Sequence, residues 1–211
     1  MTNGITKTNA VIECILSRTA AKYYDPAATL NDDQIYELVR IGTTAPTSFH
    51  LQNWRFIAVR TADAKARLSP IAWNQPAITE AAVTFIVCGQ LADSSVIPQR
   101  LAPLVEAGVM PATMVPEWEN PARDLYMDYP QRQRDEAVRT GTFGAAAMIY
   151  AARSLGLGST PMIGFDAEAV HREFGLAEDE VPVMLLSIGA ERPGNWPQKP
   201  RRPVADVLNF I

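Results

Sequence analysis

The chain has 211 residues, 47% of them hydrophobic and 20% charged, enough to build one domain (residues 1–211) with a substantial core. A net charge of −4 and a sequence pI near 5.2 leave no diffuse basic field, which argues against nucleic acid or an anionic membrane as partner and requires any bound anion to be held by a local cluster. Cys14 and Cys88 lack CxxC spacing, Met1 to Thr8 lack the apolar core of a signal peptide, and the uncharged run from Thr140 to Ala152 falls short of the ~20 residues that span a bilayer, so the expected location is the cytoplasm.

Val11, Ile12, Ile15 and Leu16 recur at helical spacing and predict an amphipathic helix running into Arg18. A second helix opens at Asn31, with Gln34 completing a capping box and Leu30 and Ile35 placed as a hydrophobic staple. Thr44 to Asn53 reads as a loop leading into a strand from Trp54 to Val59, and Lys65 to Ile71 is weakly helical. Val83 to Cys88 reads as a buried strand.

From Gln90 to Arg134, six prolines predict an irregular, mobile excursion facing a substrate. Asp135 to Leu155 is a long helix rich in Gly and Ala, ended by Gly156 and Gly158; its small side chains and few polar positions suggest the core of a dimer, the alternative being a helix buried within one chain. Asp166 caps a short helix that stops at Gly175, Val181 to Ile188 is another buried strand, and the tail from Glu191 is Pro-rich and extended. Helices and strands mix without regular βαβ alternation, so the expected fold is α+β and layered.

Basic residues cluster near both ends, Arg18 and Lys22 at one and Lys199, Arg201 and Arg202 at the other. Such residues suit a phosphate, although solvated surface charge is the commoner fate of any one cluster. Between them, Ala45 to Trp54 is dense in hydrogen-bonding side chains just before a buried strand, as suits either a polar heterocycle or an ordinary turn. Gly156-Leu157-Gly158 follows a helix and has Pro161 at the third glycine position, which excludes a dinucleotide fingerprint, and neither a P-loop nor a GxSxG elbow is present. His50 and His171 stand apart from any metal-ligand pattern.

Taken in order, several blocks make the chain resemble the FMN-dependent nitroreductase family over nearly its whole length. Arg18 to Pro26 is similar to the family's N-terminal phosphate motif, and Ala45 to Phe56 to its A-P-S-S-x-N-x-Q-P-W-x-F block. Asn74-Gln75-Pro76, Pro161 to Asp166, and Lys199 to Pro203 are similar to its N-Q, P-I-x-G-F-D and K-x-R-x-P segments.

The resemblance implies a nitroreductase-like fold, with a mostly antiparallel central sheet flanked by helices, in an intertwined homodimer with FMN at the interface. Arg18, Lys22, Lys199 and Arg201 would bind the FMN phosphate and ribityl end, with Thr19 and Ala20 in the same motif. Pro46, Thr47 and Ser48 would line the flavin, and Asn74 would contact its pyrimidine side. Met162 would lie beside the backbone amides of Ile163 and Gly164, which would point at flavin N5, while His50 and Gln52 would face the partner's flavin. No side chain is expected to act as a catalytic nucleophile and no metal is expected. The chain departs from the pattern at Ala20, where a serine is usual, at His50, usually asparagine, and at Asn53, usually proline.

The implied activity is NAD(P)H-dependent reduction of quinones, nitroaromatics or similar small electron-poor acceptors, in ping-pong order. Two alternatives stay open: a specialised flavin enzyme of dehalogenase or flavin-consuming type, and a non-enzymatic flavin-binding or sensing protein.

Overall fold

The computed structural model describes residues 9–211. The polar stretch Met1 to Thr8, judged above against a signal peptide, lies outside the described residues. Four strands, β1 (Trp54–Val59), β2 (Val83–Gln90), β3 (Gly158–Met162) and β4 (Glu180–Gly189), form one sheet in the order β1-β2-β4-β3, antiparallel throughout. The expected α+β layered architecture is what the chain adopts.

Alternation along the two central strands explains the layers, because successive side chains of a strand point to opposite faces. Phe85 and Val87 of β2, with Leu186 and Ile188 of β4, face α2 (Asp32–Gly42) and the long α7 (Pro130–Ser154), where they meet Leu38, Ala145, Met148 and Ala152. Ile86, Cys88 and Leu185 face the other way, onto Leu68 of α3 (Ala62–Ile71), Ile78 of α4 (Pro76–Glu80) and Val170 of α8 (Ala167–Glu173). The Cys88 thiol is buried there, and desolvation of the thiolate pushes its pKa up to about 12, as befits an inert packing residue.

Helix starts follow the sequence signals closely. Asn31 and Gln34 form both bonds of the capping box, and Leu30 and Ile35 pack on the same core. Asp166 caps α8 through the Ala169 amide at 3.0 Å. The first helix, α1 (Ala10–Ser17), forms as expected, but Val11 and Leu16 remain about two-thirds exposed within the chain.

Three expectations are corrected. The Pro-rich stretch after β2 is helical rather than irregular: α5 (Ile97–Glu106) and α6 (Val115–Tyr126) carry Pro98 and Pro116 in their first turns, where a missing N–H costs nothing, and only Pro103 and Pro121 lie deeper. With Leu51, these helices bury their own cluster of Ile97, Leu101, Met110, Ala122 and Tyr126. The long helix starts five residues early because Pro130 initiates it. Finally, Gly158 to Met162 is an edge strand, β3, which tolerates Pro161 because an edge need not use every ladder donor. Gly156, at φ 76°, serves only to end α7.

Candidate functional site

The outer edge of β3 organises the site. Ala20 bridges Ser159 in parallel, and the Ala21 amide donates to the Ser159 carbonyl at 3.1 Å, so Arg18 to Lys22 run along this edge. Tyr24 fixes the end of the segment: its ring is fully buried, and its hydroxyl lies 2.7 Å from Thr160 Oγ1 and 3.2 Å from the Ser187 carbonyl. Burial raises its pKa, so the phenol stays neutral and serves as an anchor. Thr160 in turn donates to the Ala21 carbonyl, tying strand and segment together.

After β4 the chain returns beside this segment. Asp25 N donates to Ala190 O at 2.9 Å, and Tyr24 bridges Glu191. Gly194, at φ 106°, then turns the backbone in a way that strains any residue with a Cβ, and Asn195 follows it. The indole of Trp196 has the Lys22 ammonium 5.7 Å and the Lys199 ammonium 5.5 Å from its centroid. Both distances fall in the range of attraction between a cation and an aromatic face.

The two ends of the chain thereby enclose a cavity of about 510 Å³, a size common for small-molecule sites. Its lining includes Arg18, Thr19, Ala20 and Lys22 of the N-terminal segment, Lys199 and Arg201 of the tail, and Gln75 and Met162. Among the described residues none of these four cations makes an ion pair; Glu80, the carboxylate in the wall, is engaged by Arg192 at 3.0 Å. Convergent positive charge of this kind attracts an anion. Arg202 turns away and donates to the Asp206 carbonyl.

Beside this cavity, outside its lining, the chain just after Met162 carries free backbone donors. Gln75 Nε2 donates to the Gly164 carbonyl at 2.8 Å, and the Trp73 ring packs so closely on Gly164 that a Cβ there would lie 2.9 Å from it. Among the described residues the amides of Ile163 and Gly164 donate to no partner, and the Ile163 side chain is 82% exposed. Asn74 sits beside Gln75 in a left-handed turn, at φ 55°, and is not itself in the cavity wall.

The remaining site residues are elsewhere within the chain. Pro46, Thr47, Ser48, His50 and Gln52 belong to the loop before β1 and do not line the cavity. Phe49, His50 and Gln52 all have positive φ, a conformation that side chains with a Cβ rarely adopt and that surrounding structure must enforce. Phe49 stands edge-on to Tyr126, with centroids 6.2 Å apart, and Leu51 is buried between α5 and α6. Gln52 N donates to Thr47 Oγ1, and the His50 and Gln52 side chains pair at 2.8 Å. Asn53 has a local role at its departure from the pattern: Nδ2 donates to Gln90 O at 2.6 Å while its carbonyl accepts from Gln90 N, continuing the β1–β2 ladder by one residue.

A model of the nitroreductase family matches residues 15–190. The chain belongs to the nitroreductase family. Among its relatives, the Bacillus subtilis protein YodC, named for NAD(P)H nitroreductase activity, is 28% identical over 95% of this chain and 98% of its own. A second Bacillus subtilis protein named in the same way, YdgI, is 30% identical over 87% and 89%. The fold matches a nitroreductase of Exiguobacterium sibiricum solved in complex with FMN, with a TM-score of 0.88, 24% identity and coverage of 97% and 98%.

In this nitroreductase-family chain, several contributors carried no sequence signal. Asn195 is one polar residue in a loop, and its partners Lys22 and Tyr23 lie more than 170 positions away. Trp196 and Tyr24 look like surface and core aromatics until the ends of the chain meet. Tyr126 lies in the lobe that reads as irregular in the sequence; burial pushes its pKa up to about 12.

Proposed function

We propose that this protein is an FMN-dependent oxidoreductase that takes reducing equivalents from NAD(P)H and passes them to small electron-poor acceptors such as quinones and nitroaromatics. The observation that carries the reading is the cavity in which, among the described residues, Arg18, Lys22, Lys199 and Arg201 converge without an ion pair, beside Met162 and Gln75, which adjoin the unpartnered amides of Ile163 and Gly164. A phosphate suits the first group, since Arg and Lys supply charge-assisted hydrogen bonds to it. An isoalloxazine edge suits the second, since backbone N–H groups fixed in place stabilise developing negative charge without reorganising.

Bound there, FMN supplies the hydride and electron transfer that no side chain of the site offers. The protein's own contribution is to hold and orient: Thr19 offers the hydroxyl that Ala20 lacks, Met162 lines the cavity, and Gln75 fixes the Gly164 peptide. Asn74, next to Gln75, is assigned to the pyrimidine side.

The reading includes a homodimer. Val11, Ile15 and Leu16 on α1 and Phe143 and Tyr150 on α7 are large apolar side chains left 40% to 66% exposed among the described residues, and Phe210 in the tail is 92% exposed. Surfaces of this kind mark an interface. A second copy would cover them and bring the Pro46, Thr47, Ser48, His50 and Gln52 loop to the flavin of its partner. Static light scattering of the flavin-loaded protein is expected to give a mass near twice 23.1 kDa at low concentration. A flavin-loaded monomer would remove this part of the proposal.

The purified protein is expected to be yellow, to release FMN rather than FAD on denaturation, and to oxidise NADH or NADPH when menadione or a nitroarene is supplied, with parallel double-reciprocal plots. Retained FMN without oxidation of either nicotinamide would replace the enzyme reading by that of a non-catalytic flavin binder. Intersecting plots would overturn the ping-pong order alone.

A further inference from the structure

The four cations of the cavity come from chain segments about 180 residues apart, so something other than local structure must set their spacing. We infer that Asn195 is the positioning residue that assembles the phosphate-holding wall, an inference that rests on the FMN reading above. Its carboxamide is used completely. Oδ1 accepts from Lys22 N at 2.7 Å and Tyr23 N at 2.8 Å, while Nδ2 donates to Tyr23 O at 3.0 Å and Arg192 O at 3.3 Å. One planar group therefore reads the backbone of the N-terminal segment on both its donor and its acceptor sides. A carboxylate cannot donate and a hydroxyl has only one proton to give, so neither can make all four bonds.

The position of this contact matters more than its strength. Beyond Asn195, the hydrogen bonds of the tail among the described residues are internal: Arg201 to Lys199 O and Gln198 Oε1, Arg202 to Asp206 O, and the turn at Val204–Asp206. Asn195 is thus the last hydrogen-bonded tie between the tail and the body before Lys199 and Arg201. Trp196 follows it directly, and its indole, lying near the Lys22 and Lys199 ammonium groups, carries the registration set by Asn195 through to the two lysines. Gly194 is the hinge that allows this, since its φ of 106° turns the backbone toward the Tyr23 ring.

Without the clamp the tail samples many positions, and only the fraction with Lys199 and Arg201 in place binds phosphate at full strength. Apparent affinity falls in proportion to that fraction. The isoalloxazine edge, held by the Met162 to Gly164 and Gln75 elements, does not depend on Asn195. The inference therefore makes a selective claim, that the clamp governs the phosphate's share of binding and leaves the ring's share alone.

The test is binding of FMN and of riboflavin to flavin-stripped full-length protein by fluorescence quenching. Wild type is expected to prefer FMN strongly. Asn195→Ala is expected to bind FMN about tenfold more weakly, as follows if the wall is assembled only about one-tenth of the time without its clamp, with riboflavin affinity and Tm nearly unchanged. Gly194→Ala, which displaces the same turn, is expected to give the same selective loss and covers the case in which the first variant fails to fold. Equal loss of both flavins, or an unchanged preference for FMN in either folded variant, would overturn the clamp while leaving the FMN site standing. Wild-type protein that binds FMN no better than riboflavin would overturn the phosphate assignment and the clamp with it.

Discussion

The double variant Arg18→Ala, Lys199→Ala is expected to bind FMN at least about 100-fold more weakly than wild type, because a hydrogen bond to a charged group contributes roughly 1.5 to 3 kcal/mol and two are removed. One residue comes from each end of the chain, and the two meet only in the wall of the cavity. Riboflavin, which lacks the phosphate, is expected to lose little. The sign of the stability change separates this from a folding defect: four cations that make no ion pair among the described residues repel one another in the flavin-free protein, so removing two should leave its Tm unchanged or slightly higher. The FMN-loaded protein should lose Tm, since stabilisation by a ligand scales with its affinity. Isothermal titration with each flavin and paired melting curves measure all of this. Equal loss for FMN and riboflavin would show that the cations do not hold the phosphate. Arg18→Lys should fall in between, keeping the charge but losing the bidentate geometry of the guanidinium.

What the sequence made legible follows from how locally each feature is encoded. The strand at Trp54–Val59 and those centred on residues 83–88 and 181–188 announce themselves as apolar runs, and capping chemistry at Asn31 and Asp166 marks helix starts to the residue. The edge strand Gly158–Met162 did not, because Gly-Ser-Thr-Pro-Met has no apolar alternation and owes its conformation to β4 and to the N-terminal segment that flanks it. Helices α5 and α6 were hidden by prolines that break a helix from within but start one from its first turn. The convergence of the terminal cations was visible through likeness to a family. The clamp that achieves it was not, since a single asparagine bonded to residues at the other end of the chain leaves no periodicity to read.

The small residues of α7 meet a neighbour within the chain. Gly and Ala allow a close approach, and the sequence favoured a second chain as the neighbour while leaving a helix buried within one chain as the alternative. Within this chain the approach is already made to the sheet: a Cβ on Gly141 would lie 2.9 Å from Val183, and one on Gly144 would lie 2.9 Å from Phe56. What α7 leaves uncovered is aromatic, at Phe143 and Tyr150. The case for a second copy therefore rests on those side chains and on α1.

The closest approach of all yields the second large effect, Gly89→Ala. A Cβ on Gly89 would lie 1.9 Å from the carbonyl oxygen of Ala137 and 2.4 Å from its carbonyl carbon, so β2 and α7 touch backbone to backbone there. No rotamer relieves such a contact, and the added methyl must push the long helix off the centre of the sheet, disturbing the packing of Phe85, Val87, Ala145 and Met148. Overpacking of this kind costs about 1 to 3 kcal/mol where side chains can yield, and more where only the backbone can. The expected loss is therefore about 3 kcal/mol or more in urea unfolding, a large part of the stability of a domain of this size. Gly158→Ala provides the contrast. Its Cβ would lie 2.4 Å from Glu191 Cγ, but that side chain can swing away, so the cost should be several-fold smaller. Equal losses in the two variants would mean that the helix rides more loosely on the sheet than the contact at Ala137 implies.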